Sequence, residues 1–113
     1  MAISGFKALG QGQVTSAGAD ALTAGTVPAS HEYAIREIAL INTQSGGGTV
    51  LVDIYRNVGS ADATKLWKHV ALVGQYAAWE WEGSMLLATG ERIWIKADVN
   101  NVVNYVVSGL DNQ

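Results

Sequence analysis

Two histidines, two alternating glutamates and a Trp-Glu-Trp-Glu run are the residues of this 113-residue chain whose types and spacing invite a chemical reading. On an extended segment Glu80 and Glu82 fall on one side, about 6.5–7 Å apart by strand rise. That separation lies within the roughly 5–9.5 Å used by paired glycosidase carboxyls. Such a pair needs a concave site in which burial raises one of the two pKa values, and successive glutamates on an exposed rim supply neither condition. Ser30, His31 and Glu32 provide the residue types of a nucleophilic triad. Neighbours on an extended chain point to opposite faces, however, so they cannot relay a proton in chain order. His31 reads as a solvated turn residue, and His69, beside Trp67 in mid-strand, as a packing or interface residue. With no cysteine and two distant histidines, metal ligation falls to carboxylates, and no Asp-rich loop has calcium-site spacing. The expectation is a chain with no catalytic residue, no cofactor and no metal, and therefore not an enzyme.

Binding is the stronger reading. Trp79 and Trp81 point to the side opposite the glutamates and, with Tyr76 nearby, form a candidate contact for a glycan or a protein partner. The other reading of the same rings is that they seal an open end of the core. Leu51, Tyr55, Trp67 and Trp94 fall on outward parities and are candidate interface residues. Charged residues make up 15% of the chain and hydrophobic ones 49%, against about 25% charged in ordinary soluble domains. The apolar surplus points to subunit contacts, because obligate interfaces resemble a core cut in half. The net charge of -3 and the scattered cations argue against a nucleic-acid partner. No apolar run approaches the roughly 20 residues of a membrane-spanning helix, and no signal-peptide pattern opens the chain, so no membrane partner is expected.

The elements that must position these residues are strands. Thirteen glycines punctuate short runs of Val, Ile, Leu, Trp and Tyr, and no amphipathic helix competes with them. Tyr33–Asn42 predicts a strand whose alternation breaks: Tyr33 and Ile35 have one parity, Ile38 and Leu40 the other. A one-residue bulge near Arg36 and Glu37 would return both sets to the core; burial of both faces is the alternative. The loop Thr43–Gly48 predicts a hairpin to Val50–Ile54, and Thr89–Arg92 a tight turn from Ser84–Ala88 back to Ile93–Ala97. Val50, Val52, Ile54, Val70, Leu72, Ile93, Ile95 and Val107 are the expected core. Seven or eight strands spaced 8–12 residues apart imply an all-β fold, an antiparallel β-sandwich of jelly-roll-like kind. The sandwich domain is expected over 14–109, between a flexible N-terminal arm or edge segment at 1–13 and a polar tail at 110–113.

The order of features is also familiar. Leu22-Thr23 leads to Val27-Pro28-Ala29, and a strand from Tyr33 runs into Asn42-Thr43. Gly90-Glu91 precedes Ile93-Trp94, and Val106 to Leu110 closes the pattern. Across about Leu22 to Leu110 this resembles small β-sandwich structural proteins of tailed bacteriophage virions: decoration, fibre-base or tail-associated modules. The resemblance implies a non-enzymatic structural protein located in the virion, commonly a homotrimer, whose partners are major capsid or tail proteins. The Trp79-Glu80-Trp81-Glu82 segment is not part of that likeness. It carries the alternative function, a carbohydrate- or receptor-binding module that uses Trp79 and Trp81 on a host glycan.

Overall fold

The computed structural model describes residues 6–113, so Met1–Gly5 of the expected arm lie outside the described residues. Eight strands follow one another: β1 Lys7–Gln13, β2 Ala19–Asp20, β3 Glu32–Asn42, β4 Thr49–Arg56, β5 Leu66–Val73, β6 Ala78–Leu87, β7 Ile93–Ala97 and β8 Val103–Asn112. Helix among the described residues is confined to one 3-10 turn, Ala63–Lys65. Asp62 caps it by accepting hydrogen bonds from the Thr64 backbone N–H and hydroxyl, which holds its carboxyl below the ordinary value.

The strands form two antiparallel four-stranded sheets, ordered β1-β8-β3-β6 and β2-β7-β4-β5. We refer to them as the first and second sheet. Only the β4–β5 connection stays within a sheet; every other connection between consecutive strands crosses from one sheet to the other. This is the jelly-roll arrangement of an all-β sandwich. Two expected hairpins are thereby corrected. The Thr43–Gly48 loop arches from β3 in the first sheet to β4 in the second, and the turn before Ile93 likewise carries the chain from β6 across to β7. Apolar alternation looks the same on either side of a hairpin or an arch, because it reports which residues face the core and not which sheet holds the next strand.

The break of alternation in β3 is a bulge. Ile35 pairs with Gly109 and Glu37 with the adjacent Ser108, which leaves Arg36 as the additional residue. Tyr33, Ile35, Ile38 and Leu40 are all buried as a result, while Arg36 is exposed. All eight expected core residues are buried between the sheets, joined by Leu9, Val14, Leu22, Val27, Met85, Leu87, Val103 and Tyr105. Fully burying an aliphatic side chain of this size contributes about 1.5–3 kcal/mol.

The N-terminal end takes the edge-segment alternative over its described residues, and the C-terminal end differs from the expected boundary. Lys7–Gln13 pairs with β8 as an edge strand of the first sheet. The segment 110–113 is largely strand and not a free tail: β8 runs to Asn112, and Asp111 is buried. The Trp-Glu run and Ser84–Ala88 merge into the single strand β6.

A side chain at position 109 has no room, since an added Cβ would land on the Ala34 carbonyl oxygen. Gly109→Ala is therefore expected to destabilise the fold at or above the upper end of the about 1–3 kcal/mol typical of overpacking. Chemical denaturation read by circular dichroism measures it; a loss within error of zero would show that the bulge tolerates a wider separation.

Candidate functional site

Strand parity decides where each candidate residue goes. Trp79 and Trp81 share the inward parity of Met85 and Leu87 on β6, and both rings pack against the core, half-buried. Trp67 is the bulged residue of β5: Ile54 pairs with Lys68 and Tyr55 with Leu66, so Trp67 has no partner opposite. Freed from the alternation, its ring turns over the seam between β5 and β6 and meets Trp81 edge-on, with centroids 5.0 Å apart and planes at 88°. The Lys68 ammonium lies 5.0 Å from the Trp67 ring centroid. The two edge strands of opposite sheets are thus closed against each other by a tryptophan pair. Tyr76 stands apart in the β5–β6 loop, exposed and with a left-handed φ of 65°. The three rings expected to form a platform do not share one surface.

The expected interface set is also divided. Leu51 is exposed on the outer side of the second sheet. Tyr55 has the outer parity but is buried, because Trp94, opposite it in register, packs edge-on at 5.6 Å and 63°. Trp94 in turn covers Gly18, where any Cβ would overlap the indole. Burial first, and then the Asp53 carboxylate, raise the Tyr55 phenol above its ordinary pKa.

Polar groups are engaged in holding the sandwich. His31 Nδ1 lies 2.7 Å from Asp111 Oδ1, with Lys7 Nζ 3.6 Å from the other carboxylate oxygen. The carboxylate beside His31 therefore comes from β8 and not from its neighbour Glu32, and the ring is a clamp, not a free turn residue. His69 hydrogen bonds Asp53 across β5 and β4, and Lys96 sits opposite Asp53 on β7. Arg92 grips Asp20 bidentately at 2.8 and 2.7 Å, which raises its pKa further. Asn42, fully buried, donates from Nδ2 to the carbonyls of Gly48 and Gly74 at 3.2 and 2.9 Å, and its Oδ1 accepts from the Gln44 N–H at 2.8 Å.

Glu80 and Glu82 are exposed on the outer side of the first sheet, where Glu82 stands opposite Glu37. A depression of about 670 Å³ beside Glu82 is lined by Phe6, Arg36, Glu37, Glu82, Gly83 and Leu110. It lies on the open surface of a sheet, which gives two carboxylates no enclosed substrate. Among the described residues no group of three or more His, Asp or Glu is placed to hold a metal ion. What this arrangement does is present open sheet surface. The outer side of the first sheet was not singled out from the sequence; its signal is the other parity of β8, where Asn104, Val106, Ser108 and Leu110 alternate with the core residues.

No family model matches the chain, and no curated protein matches it. Solved structures do share the fold. A chain of the virus-like particle of the extra small virus of the giant freshwater prawn Macrobrachium rosenbergii is 14% identical, with a TM-score of 0.53 over 96% of this chain and 79% of that one. The nucleoplasmin-like N-terminal domain of Drosophila FKBP39 is 10% identical, with a TM-score of 0.52 over 100% of this chain and 94% of that one. The fold therefore resembles a small viral particle domain without being specific to tailed phages, and it is equally that of a nucleoplasmin-like domain.

Two expectations follow. In a double-mutant cycle, Trp67→Ala and Trp81→Ala should couple by about 0.5–1.5 kcal/mol beyond their separate losses; strictly additive losses would mean the rings seal the seam independently. Three phenols, Tyr33, Tyr55 and Tyr105, are raised above 10.0, in each case chiefly by burial and then by a nearby aspartate. The folded state holds these protons to higher pH than the unfolded state does. Their contribution is thus complete below the unfolded value of 10.0 and is lost as pH rises from there through the folded values. Phenolate absorbance should show late titration of these groups, and denaturant midpoints should fall above that pH.

Proposed function

We propose that this chain is a non-enzymatic virion structural protein, a capsid decoration or tail-associated component that acts through protein–protein contacts as a homo-oligomer. The observation that carries the reading is the complete jelly roll, whose fold is shared over nearly the whole chain with a protein of a virus-like particle. The use of polar side chains supports it. Both histidines, Arg92 and Asn42 are engaged in internal hydrogen bonds or ion pairs that tie strands and loops together, and the two outer sheet surfaces are left for contact. The bacteriophage resemblance supplies the finer parts: location in the virion, and major capsid or tail proteins as partners. The glycan alternative has no comparable support, since Trp79 and Trp81 face the core.

Cosedimentation with particles of the encoding virus that lack this protein tests the proposal. Saturable retention at a fixed copy number per particle is expected, unchanged by Trp79→Phe, which keeps an aromatic ring in the core. Absence of retention would overturn the virion reading.

A further inference from the structure

The two outer sheet surfaces use their charges differently. On the second sheet His69, Asp53 and Lys96 form one cross-strand row, so the Asp53 carboxylate has a hydrogen-bonded imidazole on one neighbouring strand and a lysine opposite it on the other, all within a single copy. On the first sheet the row Gln11–Val106–Ala39–Glu80 runs from edge to edge. Its amide lies on the β1 edge, its carboxylate on the β6 edge and its apolar residues between them. Further along, Phe6, immediately before β1 and lining one depression with Leu110, and Leu86 on β6 are 60% and 55% exposed.

We propose that the outer surface of the first sheet binds the same surface of a second copy of this chain, about a two-fold axis parallel to the strands. That operation lays β1 over the β6 of the second copy and keeps each row over itself. Gln11 then meets the second copy's Glu80, whose carboxylate accepts from the amide. Val106 meets Ala39, and Phe6 meets Leu86. Glu37, beside Arg36 on the inner strand β3, meets Ser108, whose hydroxyl can donate. The other in-plane two-fold, perpendicular to the strands, would stack β6 on β6 and set glutamates against glutamates, which costs stability.

The area is sufficient. Four strands about 4.8 Å apart, seven to eleven residues long at about 3.3 Å each, cover on the order of 600 Å² per copy. The pair buries about 1,200 Å², the lower bound for a specific stable interface. The inference deepens the homo-oligomer part of the proposed function and rests on it. It replaces the three copies implied by the phage likeness with an even number.

Light scattering on the full chain across a tenfold dilution tests it, with circular dichroism as the control for folding. Wild type should have a mass of two chains or a multiple of two. Gln11→Glu, an exposed edge substitution, should raise the dissociation constant about tenfold or more by opposing Glu80. Adding Glu80→Gln to Gln11→Glu should restore it. Within one copy these residues lie three strands apart, so the rescue reads a contact between copies. Ala71→Lys, on the second sheet, should leave the mass unchanged. A monomer at every concentration, a three-chain mass, or a Gln11→Glu variant that assembles like wild type would each overturn the pairing. Particle retention of the same variants separates the outcomes: an unpaired chain that still saturates particles refutes this surface and leaves the virion reading standing.

Discussion

One extra residue in β3 sets the geometry of the sandwich. A strand has a strict period of two, and β3 carries two apolar pairs of opposite parity, so without the Arg36 bulge one pair would face water. β3 is an inner strand, bonded to β8 on one side and β6 on the other, and both ladders shift at the same point. Beside the shift, position 109 has room for glycine alone, because a Cβ there would land on the Ala34 carbonyl oxygen. Local sequence, register and close packing therefore act as a single constraint, and the inner faces of both sheets meet only because it is satisfied.

Closure of the seams follows a second logic. A sandwich of two open sheets exposes its core along both sides, and here large or polar side chains fill the gaps. On the β5–β6 side Trp67 and Trp81 close the gap edge-on. On the β1–β2 side Tyr105 donates its hydroxyl to the Ala21 carbonyl at 3.1 Å, and Arg92 holds Asp20. At one end Asn42 satisfies the carbonyls of two loops at once, which removes the cost of leaving buried polar groups unpaired. Residues that looked available for chemistry or recognition are thus consumed in making a small core watertight.

This explains which features were legible in the sequence. Core positions and the β3 bulge could be read because apolar alternation reports burial directly. Tyr55 misled because parity places it outward and only the tertiary position of Trp94 buries it. Trp67 misled because a second bulge, with no break in a long apolar run to announce it, turns the ring to the seam. The clamp between His31 and Asp111 joins residues 80 positions apart, a distance over which local pattern carries no information. The hairpins that proved to be arches belong to the same class: which sheet receives the next strand depends on how the whole chain is wound.

The position of β8 has a consequence for how the protein comes into being. It lies between β1 and β3 in the first sheet, so among the described residues the first strand pairs solely with the last one. During synthesis from the N-terminus, β1 must wait, unpaired, at least until the chain has been made through Asn104, the β8 partner of Gln13. A topology so dominated by distant pairings is slow to fold, and its waiting edge is an open template for other nascent chains. The β1 segment, with glycine at positions 10 and 12 and glutamine at 11 and 13, has little β propensity or apolar surface of its own, which keeps that template weak until β8 arrives.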